Sequence, residues 1–596
     1  MKNRKNAEKI FLFCAGAVMT AWLALLAAPH AEQGLFALLV SAGTVLSSPF
    51  SIEICPLSFR LLAVSEAAYV LVMLTVLSSA GRNERPGEEH GSASFGNAAE
   101  IAARYRNREF AGNRILTEHV MMSTEPFAHM RNLNTMVCGG SGAGKTRYYV
   151  TPNILSSSVT SLIVTDPKSE ILRSCGSLLE KRGYRIRVLD LIDMEKSHCY
   201  NPFRYLKTDA DVQKLATSIF ENTKEGKGPA ADPFWDNAAE MLLKALLFYL
   251  WYEAPEHEQN FATVMFMLKY IDVSESSENY LSPLDILFMT LKRQNPEHMA
   301  VKYYDNFLKG AGKTKKSIII SLLARLEKFN LKPLERLTAT DEMELETVGE
   351  IPTALFCIIP DSDTSFNFLV GLLYTQLIQQ LEYAADRRYG GRLPVPVHFM
   401  MDEFANIALP KDFDKSLSTM RGRGISASII LQNMAQLKNL FRDQWESIVG
   451  NCDEFLYLGG NEQSTHEFVS KLMGKETLTV KQTSSNSGRN PGSTTVTLQK
   501  SGRDLMTPSE VRMLDNRNAI LFIRGESPVI DRKYDLTKHP SYAESSFGGG
   551  PPYIHGTENL SRCRIETCSE TGFCTETKHF TSTCELYSGE EFLDES

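Results

Sequence analysis

Gly139, Gly140, Ser141, Gly142, Ala143, Gly144, Lys145 and Thr146 follow the spacing G-x-x-x-x-G-K-[ST]. The apolar run Thr135 to Cys138 precedes them and a helix-like run follows, which is the strand, loop and helix setting this spacing needs. The glycines let successive backbone N–H groups curl around an anion, and the helix behind presents its positive end. Lys145 is placed to reach the outer phosphates of a bound nucleoside triphosphate, and the Thr146 hydroxyl to hold Mg²⁺. A second GAGKT, Gly310 to Thr314, lacks both the first glycine, since Phe307 stands there, and a preceding buried strand. It reads as a basic turn in which Lys313, Lys315 and Lys316 open a helix, a solvated helix start or a contact for nucleic-acid phosphates.

The apolar run Val395 to Met401 ends in Asp402 and Glu403. A strand that delivers two carboxylates to its C-terminal edge completes such a site: Asp402 holds Mg²⁺ through water, and Glu403 orients and activates the attacking water. Ala427 to Leu431 is a further apolar run ending in Gln432, placed to sense the outermost phosphate. Just before it, Arg421 and Arg423 are either surface charges or an arginine finger that completes a neighbouring subunit's site. Asp166, Pro167 and Lys168 bring an acid and a base to the same edge, or form a simple turn.

These residues need a sheet to align them. Ser161 to Thr165, Arg185 to Leu189, Ala354 to Ile359, Glu454 to Leu458 and Ala519 to Ile523 are further buried-strand candidates, alternating with helical runs. The pattern predicts an α/β, doubly wound, mostly parallel sheet. Between the second and third of these lies a long interval of helical patterns, Ala238 to Trp251, Phe261 to Tyr270 and Ile318 to Phe329 among them. The expected organisation is a membrane anchor over 1–80, a linker and start of the soluble region over 81–130, nucleotide-binding parts over 131–205 and 348–540 flanking an all-α insertion over 206–347, and an acidic flexible tail over 541–596. Thr483 to Thr495, rich in Ser, Asn and Gly, is expected to link two short strands.

The 596 residues, 43% hydrophobic and 22% charged, exclude wholesale disorder and a small disulfide scaffold. The net charge of −8 sits largely in the last 56 residues, with 10 acidic against 3 basic side chains from Ser541 onward. Global charge therefore points to no partner, and contact with nucleic acid must rest on local patches. Eleven scattered cysteines read as a reduced interior. Cys563, Cys568, Cys574 and Cys584 in the tail fit no common zinc spacing. Ile10 to Ala28 is an uncharged run behind Lys2, Arg4, Lys5 and Lys9, which keeps the N-terminus inside. Leu61 to Leu77, carrying Glu66 near its start, is a second span. Two crossings return the chain to the cytoplasm, with Gly34 to Phe50 at the outer face or re-entrant.

Together these residues resemble the type IV coupling proteins, the TraG-like membrane-anchored ATPases of conjugation and type IV secretion. The matching pieces are Gly91 to Gly96 (GSASFG), the phosphate loop, Thr165 to Glu170 (TDPKSE), Tyr200 to Phe203 (YNPF), Phe234 to Ala238 (FWDNA), Met401 to Pro410 (MDEFANIALP) and Arg421 to Gln432. The resemblance implies a RecA-like P-loop ATPase core with an inserted all-α domain, N-terminal transmembrane helices in the cytoplasmic membrane and a homo-oligomeric ring, a hexamer. It implies an ATP-driven motor that recruits relaxase-bound single-stranded DNA and passes it to the type IV secretion channel. By the same resemblance Lys145, Thr146, Asp402, Glu403 and Gln432 take the ATPase roles and Arg421 the trans-acting one. Ser169 departs from the pattern, since glycine often follows DPK in this family.

Two other readings are weighed against this one. A double-stranded DNA translocase of the chromosome-partitioning type is expected to carry a winged-helix DNA reader after the motor, and the tail shows none. Against a membrane scaffold that binds nucleotide without hydrolysis stand the intact Lys145 and Glu403.

Overall fold

The computed structural model describes residues 2–31, 50–79, 87–223, 233–271, 280–310, 312–360, 363, 365–407, 409, 413–485 and 494–556. In chain order the strands are β1 (Asn113–Ile115), β2 (Met121–Ser123), β3 (Thr135–Cys138), β4 (Ser161–Asp166), β5 (Arg185–Asp190), β6 (Thr353–Ile358), β7 (Val397–Met401), β8 (Ile425–Leu431), β9 (Glu454–Tyr457), β10 (Lys475–Ser485), β11 (Thr494–Asp504), β12 (Asn518–Ile523) and β13 (Val529–Arg532). The chain divides into two compact units, residues 1–92 with 477–502, and residues 93–476 with 503–596.

In the first unit, helices Lys2–Ala31 and Ser58–Ser79 lie side by side. The Thr20 hydroxyl donates to Glu66 Oε1 at 2.8 Å, which gives the one carboxylate of the second apolar stretch a partner. The Tyr69 hydroxyl donates to the Phe13 carbonyl at 3.0 Å, over Gly16, where a Cβ would lie 2.2 Å from that hydroxyl. Phe13–Ala31 and Ser58–Val76 are each long and apolar enough to cross a membrane. They overlap the two expected spans, and the run Gly34 to Phe50 lies outside the described residues apart from Phe50. The strands flanking the Ser- and Gly-rich stretch, β10 and β11, are eleven residues each rather than short, and pair as a two-stranded sheet. Its base is stitched to the chain through Thr477 Oγ1, which accepts from the N–H groups of His90 and Gly91.

The second unit is built on a nine-stranded sheet in the order β13-β12-β9-β3-β8-β7-β4-β6-β5. The seven strands from β9 to β5 are parallel, and β12 and β13 close one side antiparallel. Strands such as β6 (TALFCI) and β8 (ISASIIL) are buried along their whole length, because helices cover both faces and leave no side to water. Alternation splits β3 between two cores, with Met136 and Cys138 on one face and Val137 on the other. Between β5 and β6 the described residues carry helices and no strand, and their Leu242, Phe248 and Phe261 share one core with Met136 and Phe399 of the sheet. The second GAGKT runs into helix Gly312–Leu326 behind helix Met299–Leu308. A helix rather than a strand leads into it, so it cannot cradle a phosphate as a P-loop does.

Where an acidic flexible tail was expected from Ser541, the chain instead stays packed to Gly556. Arg182 donates to Ser541 Oγ at 2.8 Å, Lys181 pairs with Glu544 at 2.8 Å, and the Tyr553 N–H donates to the Arg173 carbonyl at 2.9 Å. Tyr553 occupies the space over Gly176, where a Cβ would meet its ring at 2.5 Å. The four cysteines of the tail lie outside the described residues.

Candidate nucleotide site

The strand order β3-β8-β7 decides the site. It sets the ends of the three motif-bearing strands side by side, so the phosphate loop after β3, Gln432 after β8 and the acidic pair after β7 converge over about 10 Å of sheet edge. The loop is tied down to its neighbours: the Gly139 N–H donates to the Leu431 carbonyl at 3.0 Å and the Gly140 N–H to the Gly459 carbonyl at 2.9 Å. Gly142 and Gly144 sit at φ 76° and 81°, the left-handed region that glycine enters without steric cost.

Lys145 is buried and its ammonium donates to the Gly139 carbonyl at 3.1 Å, 3.9 Å from Glu403 Oε1. The Thr146 hydroxyl donates to Asp402 Oδ2 at 2.8 Å. Asp402 is buried, and its other oxygen, Oδ1, has no hydrogen-bond partner. A hydroxyl beside a carboxylate with an uncommitted buried oxygen is the donor chemistry a hard cation such as Mg²⁺ takes, so these residues fit the ion. Burial pushes the Asp402 carboxyl up to about 6, with the neighbouring Glu403 adding to the rise and the Thr146 bond opposing it. Glu403 itself is held in the left-handed region at φ 57°, a strained conformation for a non-glycine residue. Gln432 Nε2 donates to both of its oxygens at 3.1 Å.

Asp166 ends β4, next to β7, and burial pushes its carboxyl up to about 7. Its oxygen accepts the Leu172 N–H at 2.8 Å and so caps helix Glu170–Lys181. The turn between them takes Lys168 and Ser169 through φ 103° and 61°. Ser169 therefore keeps the left-handed geometry that a glycine would adopt freely.

The two arginines separate. Arg423 is committed within its own chain, bonded to Asp386 at 2.9 and 2.8 Å and 3.7 Å from Glu382. Arg421 is exposed, makes no ion pair among the described residues, and stands where helix Phe413–Arg423 enters β8. It is not brought to Lys145. It lines a cavity of about 290 Å³ with Arg392, His398 and Ser426, at the opposite strand ends, about 20 Å along β8 from Gln432.

One contact had no sequence signal at all. Lys533, beyond β13, donates to the carbonyl of Ala143 inside the phosphate loop at 3.0 Å.

Residues 93–543 match the family model described as Type IV secretory system Conjugative DNA transfer. Protein VirD4 of Agrobacterium fabrum (strain C58 / ATCC 33970) is 23% identical over 506 residues, covering 80% of this chain and 70% of its own length. Conjugal transfer protein TraG of Escherichia coli is 24% identical over 391 residues, covering 62% of this chain and 60% of its own. Among solved structures, the plasmid coupling protein TrwB in complex with the ATP analogue ADPNP superposes with a TM-score of 0.54 at 15% identity, covering 76% of this chain and 96% of that one. TrwB in complex with ADP and Mg²⁺ superposes at 0.51 and 14% identity, covering 76% and 95%. The likeness shows the fold, a RecA-like P-loop core.

Proposed function

The chain belongs to the family of type IV secretory system conjugative DNA transfer proteins, the coupling proteins, and from that premise we propose that it is a membrane-anchored ATPase that recruits relaxase-bound single-stranded DNA and drives it into a type IV secretion channel. The observation that carries the reading is the convergence of Lys145, Thr146, Asp402, Glu403 and Gln432 on one sheet edge. In this reading the loop N–H groups and Lys145 bind the phosphates of ATP and hold charge that develops on the outer phosphoryl group. Glu403, its carboxylate steadied by Gln432, takes the proton of the attacking water. Thr146 and Asp402 hold Mg²⁺, which when bound offsets phosphate charge. Arg421, free of its own site, serves the next subunit of a homo-hexamer in which one chain's phosphate edge meets its neighbour's opposite edge. The apolar helices supply the anchor, with the ATPase in the cytoplasm.

The test is ATP turnover by the full chain in lipid nanodiscs, with and without DNA. Single strands are expected to stimulate hydrolysis more than duplex, and Lys145→Ala to abolish it. Undiminished turnover in Lys145→Ala and in Glu403→Gln would remove the assigned chemistry, and stimulation by duplex alone would favour a double-strand translocase.

A further inference from the structure

Lys533 lies in a polar stretch nearly four hundred residues from the phosphate loop, yet the residue is only 6% exposed and its side chain ends against that loop. Its ammonium donates to the Ala143 carbonyl and to Asn516 Oδ1, both at 3.0 Å, and sits 5.4 Å from the centroid of the Tyr148 ring. No carboxylate forms an ion pair with it among the described residues, and burial pushes it down to about 8, with Asp515 opposing. Burying an ammonium without a counter-charge is costly, so an apolar side chain would pack there more stably. What the lysine obtains is its grip on the loop.

That grip has a directional consequence. A peptide unit is planar and trans, so its C=O and N–H point to opposite sides. Holding the Ala143 carbonyl toward Lys533 turns the Gly144 N–H the other way, and that N–H donates to no described group. Tyr148 holds the adjoining peptide from the next turn: its backbone N–H donates to the Gly144 carbonyl at 2.8 Å, and its ring fills the space where a Cβ on Gly144 would lie, 2.4 Å away. We propose that Lys533 is a positioning residue for nucleotide binding, which clamps the Ala143 carbonyl from behind and so aims the Gly144 N–H at the phosphates. The clamp rests on the reading of this loop as the nucleotide site. It touches no phosphate itself, so it acts on affinity rather than on the chemical step.

The test measures binding of a fluorescent ATP analogue with Mg²⁺, and steady-state hydrolysis, in the full chain carrying Lys533→Met or Lys533→Arg. Lys533→Met is expected to raise Kd and KM about tenfold, the worth of one hydrogen bond to a charged group, while kcat at saturation stays within about twofold. Lys533→Arg keeps a cationic donor over Tyr148 and is expected to restore most of the affinity. Unchanged Kd in Lys533→Met, or an arginine variant as weak as the methionine one, overturns the proposal. Should Lys533→Met fail to fold, Asn516→Ala takes its place: it loosens the lysine and must weaken nucleotide binding, and unchanged affinity there overturns the clamp equally. A wild-type chain that binds no nucleotide, or a Lys145→Ala chain that binds it as well, removes the parent reading. Tight wild-type binding matched by Lys533→Met removes the clamp alone.

Discussion

Gln432 Nε2 donates to both carboxylate oxygens of Glu403, each at 3.1 Å, across 29 positions of sequence. The bond joins the end of β8 to the turn after β7, so under the proposed function a change at the outer phosphate that draws on Gln432 would be felt by the Glu403 carboxylate. Lys145 stands 3.9 Å from the same carboxylate. Glu403, Gln432 and Lys145 thus form one connected group.

Replacing Glu403 by Gln is therefore expected to lower kcat by about 10² to 10⁴, the usual worth of a positioned general base. Affinity for ATP should change little, because the substitution leaves the loop and Lys145 in place. Rapid-quench hydrolysis beside equilibrium nucleotide binding checks this, and parallel losses in both would place Glu403 in binding instead.

Arg421 and Arg423 should behave as different residues. Arg421→Ala and Lys145→Ala, each inactive alone, are expected to regain turnover when mixed, since a ring containing both has interfaces with an intact loop and an intact arginine. Arg423→Ala should cost about 0.2–1 kcal/mol of stability, the worth of a part-exposed ion pair, and leave trans rescue untouched. Mixing curves of hydrolysis against subunit ratio decide it, and absence of any rescue counts against the trans role.

Ser169 adopts φ 61° and its side chain makes no capping bond to helix Glu170–Lys181. Ser169→Gly is expected to raise stability by about 0.5–1 kcal/mol, the left-handed penalty of an L residue less the extra chain entropy of glycine. The thermal midpoint should rise with ATP turnover unchanged, and a fall in midpoint would contradict the strain.

Glu454, buried at the start of β9, is pushed up to about 8 by burial, with Arg114 opposing. Its unfolded value is about 4.3, so between those values the folded chain holds a proton the unfolded chain has lost. Stability from this group is present in full below pH 4 and declines as pH rises toward 8. Glu454→Gln removes the titration. The difference in thermal midpoint between variant and parent should therefore move in favour of the variant from pH 5 to pH 8, and a difference independent of pH would refute the raised value.

What could be read without coordinates was local. The phosphate loop is made by consecutive residues whose own N–H groups form the cradle, so Gly139 to Thr146 announce it. The buried strands of a parallel sheet are continuous apolar runs, so β3, β4, β5, β6, β7, β8, β9 and β12 were visible to within a residue or two of their ends. The short edge strands β1, β2 and β13 carry too few residues for any period to show.

The rest depended on residues far apart in the chain meeting in space. Arg421 and Arg423 are alike in chemistry, and Asp386 and Glu382, brought by one helix, engage Arg423 while Arg421 makes no ion pair among the described residues. Residues 541–556 have the composition of a tail, and it is the close approach allowed by Gly176 that gives Tyr553 a surface to pack on. Lys533 looks like any surface lysine until β13 sets it behind Ala143. A sequence lists which groups a chain can offer. The order of strands in the sheet settles which of them come within bonding distance, because hydrogen bonds and ion pairs act over a few ångströms and the chain separates these partners by tens to hundreds of residues.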